Sequence, residues 1–200
     1  MRIVLSIVLS FFMTTVVLAG GMSSGGGAGI ACAQADGSLA SAELLDLYEG
    51  KNRFGYSILK TDDVDATAQF KKALNKIQNN FLREKLNEVS YLLIDQVQFL
   101  PEGIVMPAPA DMGNTYLALM PQGCSISALA YFEGDGTLRL SRTHYNKLSQ
   151  TDRAALIMHE AVYKLLRDTG RDTNAENTRL IVAMLFSTGA AAEATQKLLT

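Results

Sequence analysis

The sequence predicts an α+β fold, with a small sheet of short hairpins packed against several helices and a helix pair at the C-terminal end. Three observations support this class. Glycine-containing turn signals separate short apolar runs, which is typical of hairpins. Apolar residues recur at helical spacing in the middle of the chain. Near the C-terminal end, two capping signals each precede a helical run that is followed by a glycine.

Residues 1–19 predict a cleaved secretory signal peptide. Arg2 supplies the positive charge, residues 3–18 form the apolar run, and Val17-Leu18-Ala19 is a small-residue cleavage site. The alternative is an uncleaved membrane anchor, but the apolar run is shorter than the about 20 residues that cross a bilayer. We therefore expect an exported protein, either periplasmic or extracellular.

The mature chain is expected to form one domain. Residues 20–29 are mostly Gly and Ser, which bury almost no surface, so they predict a flexible leader. Residues 30–189 are long enough for a single globular α+β domain with its own core. Residues 190–200 are predicted to be an Ala-rich C-terminal tail that forms at most a loose helix.

The charge balance argues against two kinds of partner. The formal net charge is −2, and loss of Arg2 with the signal makes it one unit more negative. A mildly acidic, mixed surface lacks the basic face that nucleic acids require. The mature chain has no segment long and apolar enough to cross a membrane, so we predict no membrane span in it. The sequence identifies no other partner.

The two cysteines, Cys32 and Cys124, predict a disulfide bond. Export delivers a chain to an oxidising compartment, where an even number of cysteines is usually paired. The bridge would close a loop of about 90 residues and stabilise the fold by up to about 4–5 kcal/mol in the chain-entropy model. The alternative is a pair of buried free thiols.

The N-terminal half predicts a hairpin and then helices. Residues 29–34 and 39–45 flank the turn signal Asp36-Gly37, with a helix starting near Ser41 as the alternative. Asp62 or Asp63 can then cap a helix. Helical spacing predicts a core stripe that runs past a break at Asn79-Asn80 and comprises Phe70, Leu74, Ile77, Phe81, Leu82, Leu86, Val89 and Leu93.

The C-terminal half predicts three strands and two helices. Residues 115–120, 126–132 and 137–140 have strand character, and the last two flank a glycine-containing turn. Ser149 with Asp152 marks the start of a helix that ends near Gly170, and Thr173 with Glu176 marks the start of a second helix that ends near Gly189.

The string His159-Glu160-Ala-Val-Tyr163 carries the most chemistry. It begins like the zinc-hydrolase signature H-E-x-x-H, in which two histidines four residues apart ligate Zn²⁺ and the glutamate activates a water. Tyr163 occupies the second ligand position, and His144 is the only other histidine. Catalytic zinc needs three protein ligands. We therefore predict no metal or cofactor, with a zinc-dependent, peptidase-like hydrolase using His159 and Glu160 as the alternative.

The preferred interpretation is structural. His159 lies within the apolar stripe of its helix, so it faces the core or a cleft. Glu160 is predicted to pair with Arg167 on the same helix or with Arg179 on the next, in a polar cluster beside Tyr163. Two further possibilities are a metal-free acid–base pair of His159 and Glu160 and a binding module with a cleft beside Tyr163.

Several strings resemble a family of exported bacterial proteins that carries a His-Glu-Ala-Val-Tyr helix. The matching segments are residues 41–49, 135–138, 146–149, 154–167, 178–179 and 185–187. The resemblance covers most of the mature chain and implies export and a single domain, without an activity. The helix around His159 also resembles a zincin active-site helix whose second ligand has been lost.

Overall fold

The computed structural model describes residues 26–104, 106, 109 and 112–199, so the predicted signal and most of the leader lie outside it. The described chain is α+β, with seven helices and two three-stranded sheets. In chain order the elements are β1 Ala28–Ala33, β2 Leu39–Leu44, α1 Leu45–Asn52, α2 Ala66–Leu74, α3 Asn80–Gln96, β3 Gln98–Leu100, β4 Cys124–Ala128, β5 Ala130–Phe132, β6 Leu138–Ser141, α4 Arg142–Tyr145, α5 Gln150–Asp168, α6 Glu176–Phe186 and α7 Ala191–Leu199.

The first sheet has the strand order β2-β1-β4, with both neighbours antiparallel to β1. The predicted hairpin is confirmed, because β1 and β2 pair across the turn that contains Asp36 and Gly37, and Gly37 has a φ of 82°. The helix that was the alternative begins only at Leu45, directly after β2. This abrupt change from strand to helix places α1 beside the sheet, where its residues are buried on nearly every side.

The second sheet has the order β3-β6-β5. Its β5–β6 hairpin confirms the predicted turn, in which Glu133 N donates to Thr137 O over 2.9 Å. The single strand predicted over residues 126–132 is wrong, because the chain bends at Leu129 and gives β4 to one sheet and β5 to the other. Leu129 N donates instead to Gly27 O, and this bond joins the two sheets.

The strand predicted over residues 115–120 is also wrong. This segment is a loop, in which Met120 N donates to Leu117 O in a turn and Tyr116 N donates to the Glu49 carboxylate. The apolar side chains that suggested a strand, Leu117 and Met120, pack against a small core cluster that contains Ile30, Leu45 and Tyr48. The pattern was therefore correct about burial and incorrect about backbone pairing.

The middle helices follow the predicted stripe with one exception. Asp65 caps α2 rather than Asp62 or Asp63, and Asn79 caps α3, which confirms the predicted break. Phe81 is 75% exposed, although its neighbour Leu82 is buried. Adjacent helical residues point about 100° apart, so only Leu82 can join the inner face formed by Leu86, Val89 and Leu93.

The C-terminal helices confirm one of the two predicted caps. Ser149 accepts from Asp152 N at the start of α5, and Gly170, with a φ of 69°, follows its end. The helix start predicted at Thr173 with Glu176 is wrong, because α6 begins at Glu176. The Asp172 carboxylate instead accepts hydrogen bonds from the backbone N–H and the hydroxyl of Thr178.

Both ends of the predicted domain extend further than expected. Gly26 and Gly27 are buried rather than part of a flexible leader, and a Cβ on Gly26 would lie 1.9 Å from Ala130 O. Residues 20–25 lie outside the described residues. The predicted tail forms α7, whose Ala194 and Leu198 are fully buried in the main core.

The predicted disulfide is present between Cys32 and Cys124, which face each other across β1 and β4. It therefore ties the N-terminal strand to the middle of the chain. In the described part of the chain, none of the helices is both long and apolar enough to cross a membrane.

Candidate functional site: a buried charged network

Five charged or titratable side chains from three helices meet in the core, and we call them the buried network. Helix α1 supplies two acids one turn apart, α5 supplies the predicted His-Glu pair, and α6 supplies an arginine. Each is at most 1% exposed. Charged side chains are almost never fully buried unless they are paired. The members are Asp46, Glu49, His159, Glu160 and Arg179.

His159 pairs with Asp46 of α1. Its Nδ1 lies 2.8 Å from Asp46 Oδ2, and the residue is 0% exposed. Its ring stacks on the Tyr163 ring, with centroids 6.1 Å apart and planes 19° from parallel. Asp46 thus holds one edge of the imidazole while Tyr163 covers its face, which fixes the orientation of the ring.

The protonation of His159 depends on the charges around it. Burial is the largest single influence and disfavours the imidazolium, but the charge of Asp46, its hydrogen bond and the charge of Glu160 together outweigh burial. The net result is that the pKa of His159 lies above its ordinary value of 6.5. Arg179 opposes this shift only as the smallest contribution.

Arg179 pairs with Glu49 and also organises a loop. Its Nε donates to Glu49 Oε2 over 2.7 Å, while its two terminal nitrogens donate to Met112 O over 2.6 Å and to Asn114 O over 2.7 Å. The other Glu49 oxygen accepts from Tyr116 N over 2.7 Å. One buried ion pair therefore fastens α1, α6 and the loop before β4 together.

Glu160 binds the backbone just before β1. Its Oε1 accepts from Gly27 N over 2.6 Å, and residue 27 lies immediately before β1. A Cβ at Gly27 would lie 2.3 Å from Leu156 Cδ1 and 3.2 Å from the same carboxylate oxygen. A larger residue at position 27 would therefore require the Leu156 and Glu160 side chains to move.

The two basic residues predicted beside Glu160 have different environments. Arg179 is in the network, but all three of its guanidinium nitrogens donate to groups other than Glu160. Arg167 lies on the exposed side of α5, with its guanidinium carbon 5.8 Å from the centre of the Tyr163 ring. Arg179 and Tyr163 are therefore buried beside His159 and Glu160, the Arg167 side chain is exposed, and the pairing of Glu160 with Arg167 stays a prediction.

The residues around His159 do not fit a catalytic zinc centre. Asp46 binds Nδ1, as carboxylates also do in histidine–zinc sites, which leaves Nε2 as the one ring nitrogen for a metal, and Glu160 Oε1 is bound to the backbone. His144 lies in α4, with its own Nδ1 2.7 Å from Ser141 Oγ. Within residues 26–104, 106, 109 and 112–199, no three His, Cys, Asp or Glu side chains are grouped to hold a metal ion.

Sequence reasoning missed the two acids of α1. Asp46 and Glu49 are 113 and 130 residues away from their partners along the chain, so no local spacing connects them. A weaker signal was available: Leu45, Leu47 and Tyr48 surround both acids with apolar positions. A helix with apolar residues on several faces is expected to be buried. Acidic residues between those apolar positions are then also buried, and they need partners in the core.

A cleft lies beside Tyr163, where the hypothesis of a binding module places one. It has a volume of about 180 Å³ and runs between α5 and the β5–β6 turn, with Glu133, Lys164 and Arg167 among its lining residues. This is smaller than the about 300–1,000 Å³ typical of small-molecule sites.

Comparison with known proteins adds no relative to this picture. A scan of protein-family models found no match, and searches of curated proteins and of solved structures found no similar protein. The α+β fold and the buried network therefore carry the functional argument by themselves.

Proposed function

We propose that this chain is an exported, non-catalytic protein in which the buried network is a structural device. The observation that carries the proposal is that His159, Glu160 and Arg179 are each at most 1% exposed and bind groups of the same chain. These bonds connect α1, α5 and α6 to the first strand and to the loop before β4. Breaking a buried ion pair is costly, so these bonds favour the packing of the elements that they connect.

Burial also argues against acid–base catalysis by His159. A general base must approach within about 3 Å of the proton that it removes. His159 is 0% exposed, and the ring of Tyr163, which is itself 1% exposed, covers its face. A substrate would therefore have to open the core between α1 and α5 before it could touch the imidazole.

Export is the second part of the proposal. The disulfide between Cys32 and Cys124 supports it, because such bonds persist in oxidising compartments and are rare in the cytosol. The predicted signal over residues 1–19, the family resemblance and the choice between periplasm and extracellular release stay predictions. Mass spectrometry of the protein purified from the producing cells should find a mature chain that begins at Gly20.

Metal analysis tests the structural proposal against a zinc-dependent hydrolase. One observation favours the alternative: within the described residues, Nε2 of His159 makes no hydrogen bond. We expect the tag-free mature protein to contain no stoichiometric zinc and to keep its melting temperature in EDTA.

The matched control compares the two histidines. Stoichiometric zinc that is lost in His159→Ala and retained in His144→Ala would contradict the structural proposal. Zinc retained in both variants would indicate a contaminating ion away from the network, and would leave the proposed role of His159 intact.

A further inference from the structure

A groove on the protein surface is lined by none of the residues of the buried network. It has a volume of about 540 Å³ and lies between α2, the loop before it, and the junction of α6 and α7. This volume falls within the about 300–1,000 Å³ of typical small-molecule sites, which are mostly apolar with a few polar groups.

The walls of the groove are largely apolar. Leu185 and Phe186 of α6 and Ala73 of α2 line it, and two residues of the preceding loop form an exposed lip. On this lip Leu59 is 81% exposed and Val64 is 44% exposed. Large apolar side chains exposed next to a concave apolar surface mark a site that gains stability when an apolar ligand covers them.

The charges of the groove all have one sign. Lys72 lies in the last turn of α2 and Lys76 in the turn that follows the helix, and no Asp or Glu is among the described lining residues. Lys76 Nζ donates to Leu185 O over 2.6 Å and to Ser187 O over 2.8 Å, which fixes the ammonium at the wall. An ammonium has three protons, so one remains for a ligand.

The two lysines also make the groove favourable for an anion. Burial, and then the charge of Lys72, lower the pKa of Lys76. A negative group between the two ammonium groups would remove this repulsion, and each lysine could donate a charge-assisted hydrogen bond to it.

We propose that the groove binds a single-chain amphiphile with an anionic head, such as a long-chain carboxylate. The carboxylate would lie between Lys72 and Lys76, and the alkyl chain would lie against Phe186 and beneath Leu59 and Val64. The proposal goes beyond the structural role of the buried network and depends on none of its residues. It makes the protein a carrier or sensor of such molecules.

Calorimetric titration of the mature chain with dodecanoate, below the concentration at which it forms micelles, tests the proposal. We expect saturable one-to-one binding. Lys72→Gln should weaken it by about three- to tenfold, the range expected for one partly exposed charge. Leu59→Ser should also weaken it, and because Leu59 is 81% exposed, the fold should tolerate the change.

Lys71→Gln is the matched control, because Lys71 is the preceding residue of α2, is exposed and is not among the lining residues. Binding by Lys71→Gln should equal that of the unchanged protein. Absence of saturable binding, or equal weakening by Lys71→Gln and Lys72→Gln, would overturn the proposal. Equal affinity for a neutral dodecyl ligand, or for acetate, would also overturn it, because the groove would then not recognise both ends of the amphiphile.

Discussion

The two buried acids of α1 each form an ion pair, but the two pairs differ in how many of their polar atoms are hydrogen-bonded. Asp46 and Glu49 lie one turn apart, and both are at most 1% exposed. Arg179 uses Nε and both terminal nitrogens on Glu49 and two backbone carbonyls, whereas His159 makes one bond to Asp46. Among the described residues, Asp46 Oδ1 and His159 Nε2 make no hydrogen bond. The arginine pair therefore has the more complete set of hydrogen bonds, and His159 of the other pair has a raised pKa.

The largest expected effect is at the arginine pair. Arg179→Met leaves Glu49 buried without its cation, and we expect the free energy of unfolding to fall by about 3–5 kcal/mol. The exposed Arg167 on α5 is the matched control, since Arg167→Met removes a cation–π contact and should cost about 1 kcal/mol or less. Denaturant unfolding measures both losses. Equal losses in the two variants would contradict the claim that the buried Arg179 stabilises the fold more than the exposed Arg167.

The third acid of the network should have an intermediate effect. Glu160→Ala leaves the buried Gly27 N–H without its acceptor, at a cost of about 1–3 kcal/mol. Glu160→Gln keeps an oxygen in the same place and should lose less. Hydrogen exchange of β1 amides should rise in the alanine variant, and an unchanged melting temperature there would contradict the role of Glu160 in holding the first strand.

Three local signals predicted the fold correctly, although the local signals at Thr173 and at Asp62 and Asp63 did not. The Asp36-Gly37 turn, the cap at Ser149 and the break at Asn79 each act within a few residues, and the structure confirms all three. Residues 126–132 illustrate the opposite case, because the division of this segment between two sheets depends on a bond from Leu129 to Gly27, about a hundred residues away. A contact between residues so far apart produces no local pattern in the sequence.

The site was predictable only in part, for the same reason. The apolar stripe of α5 predicted that His159 would be buried, and it is. The sequence allowed Glu160 to pair with Arg167 on the same helix as readily as with Arg179 on the next helix. The actual partners, Asp46 and Glu49, come from a short N-terminal helix whose position is set by β1, β2 and the packing of α1 on α6.

The smallest expected effect is the pH dependence of the histidine pair. Because the pKa of His159 in the folded protein lies above 6.5, the native state holds a proton that the unfolded chain loses. The contribution is complete below about pH 6.5 and is lost as the pH rises through the folded-state pKa. Asp46→Asn should flatten this decline in the free energy of unfolding, measured from pH 6.5 upward.

His144 provides the control for that experiment. Burial lowers the pKa of His144, so its contribution changes only below 6.5, where stability rises with pH. His144→Gln should therefore leave the slope above pH 6.5 unchanged. If His144→Gln flattened that slope and Asp46→Asn did not, the assignment of the titration to the Asp46–His159 pair would be wrong.

A double-mutant cycle between Asp46 and His159 tests the structural role of the buried network most directly. At pH 6 the single variants Asp46→Ala and His159→Ala should each be less stable than the unchanged protein. The double variant should reveal a coupling of about 1–3 kcal/mol, as expected for buried side chains in contact. Effects of the two single variants that add within about 0.5 kcal/mol would contradict the structural role. A His159→Ala variant that is more stable than the unchanged protein would also contradict it, because residues kept for activity often reduce stability.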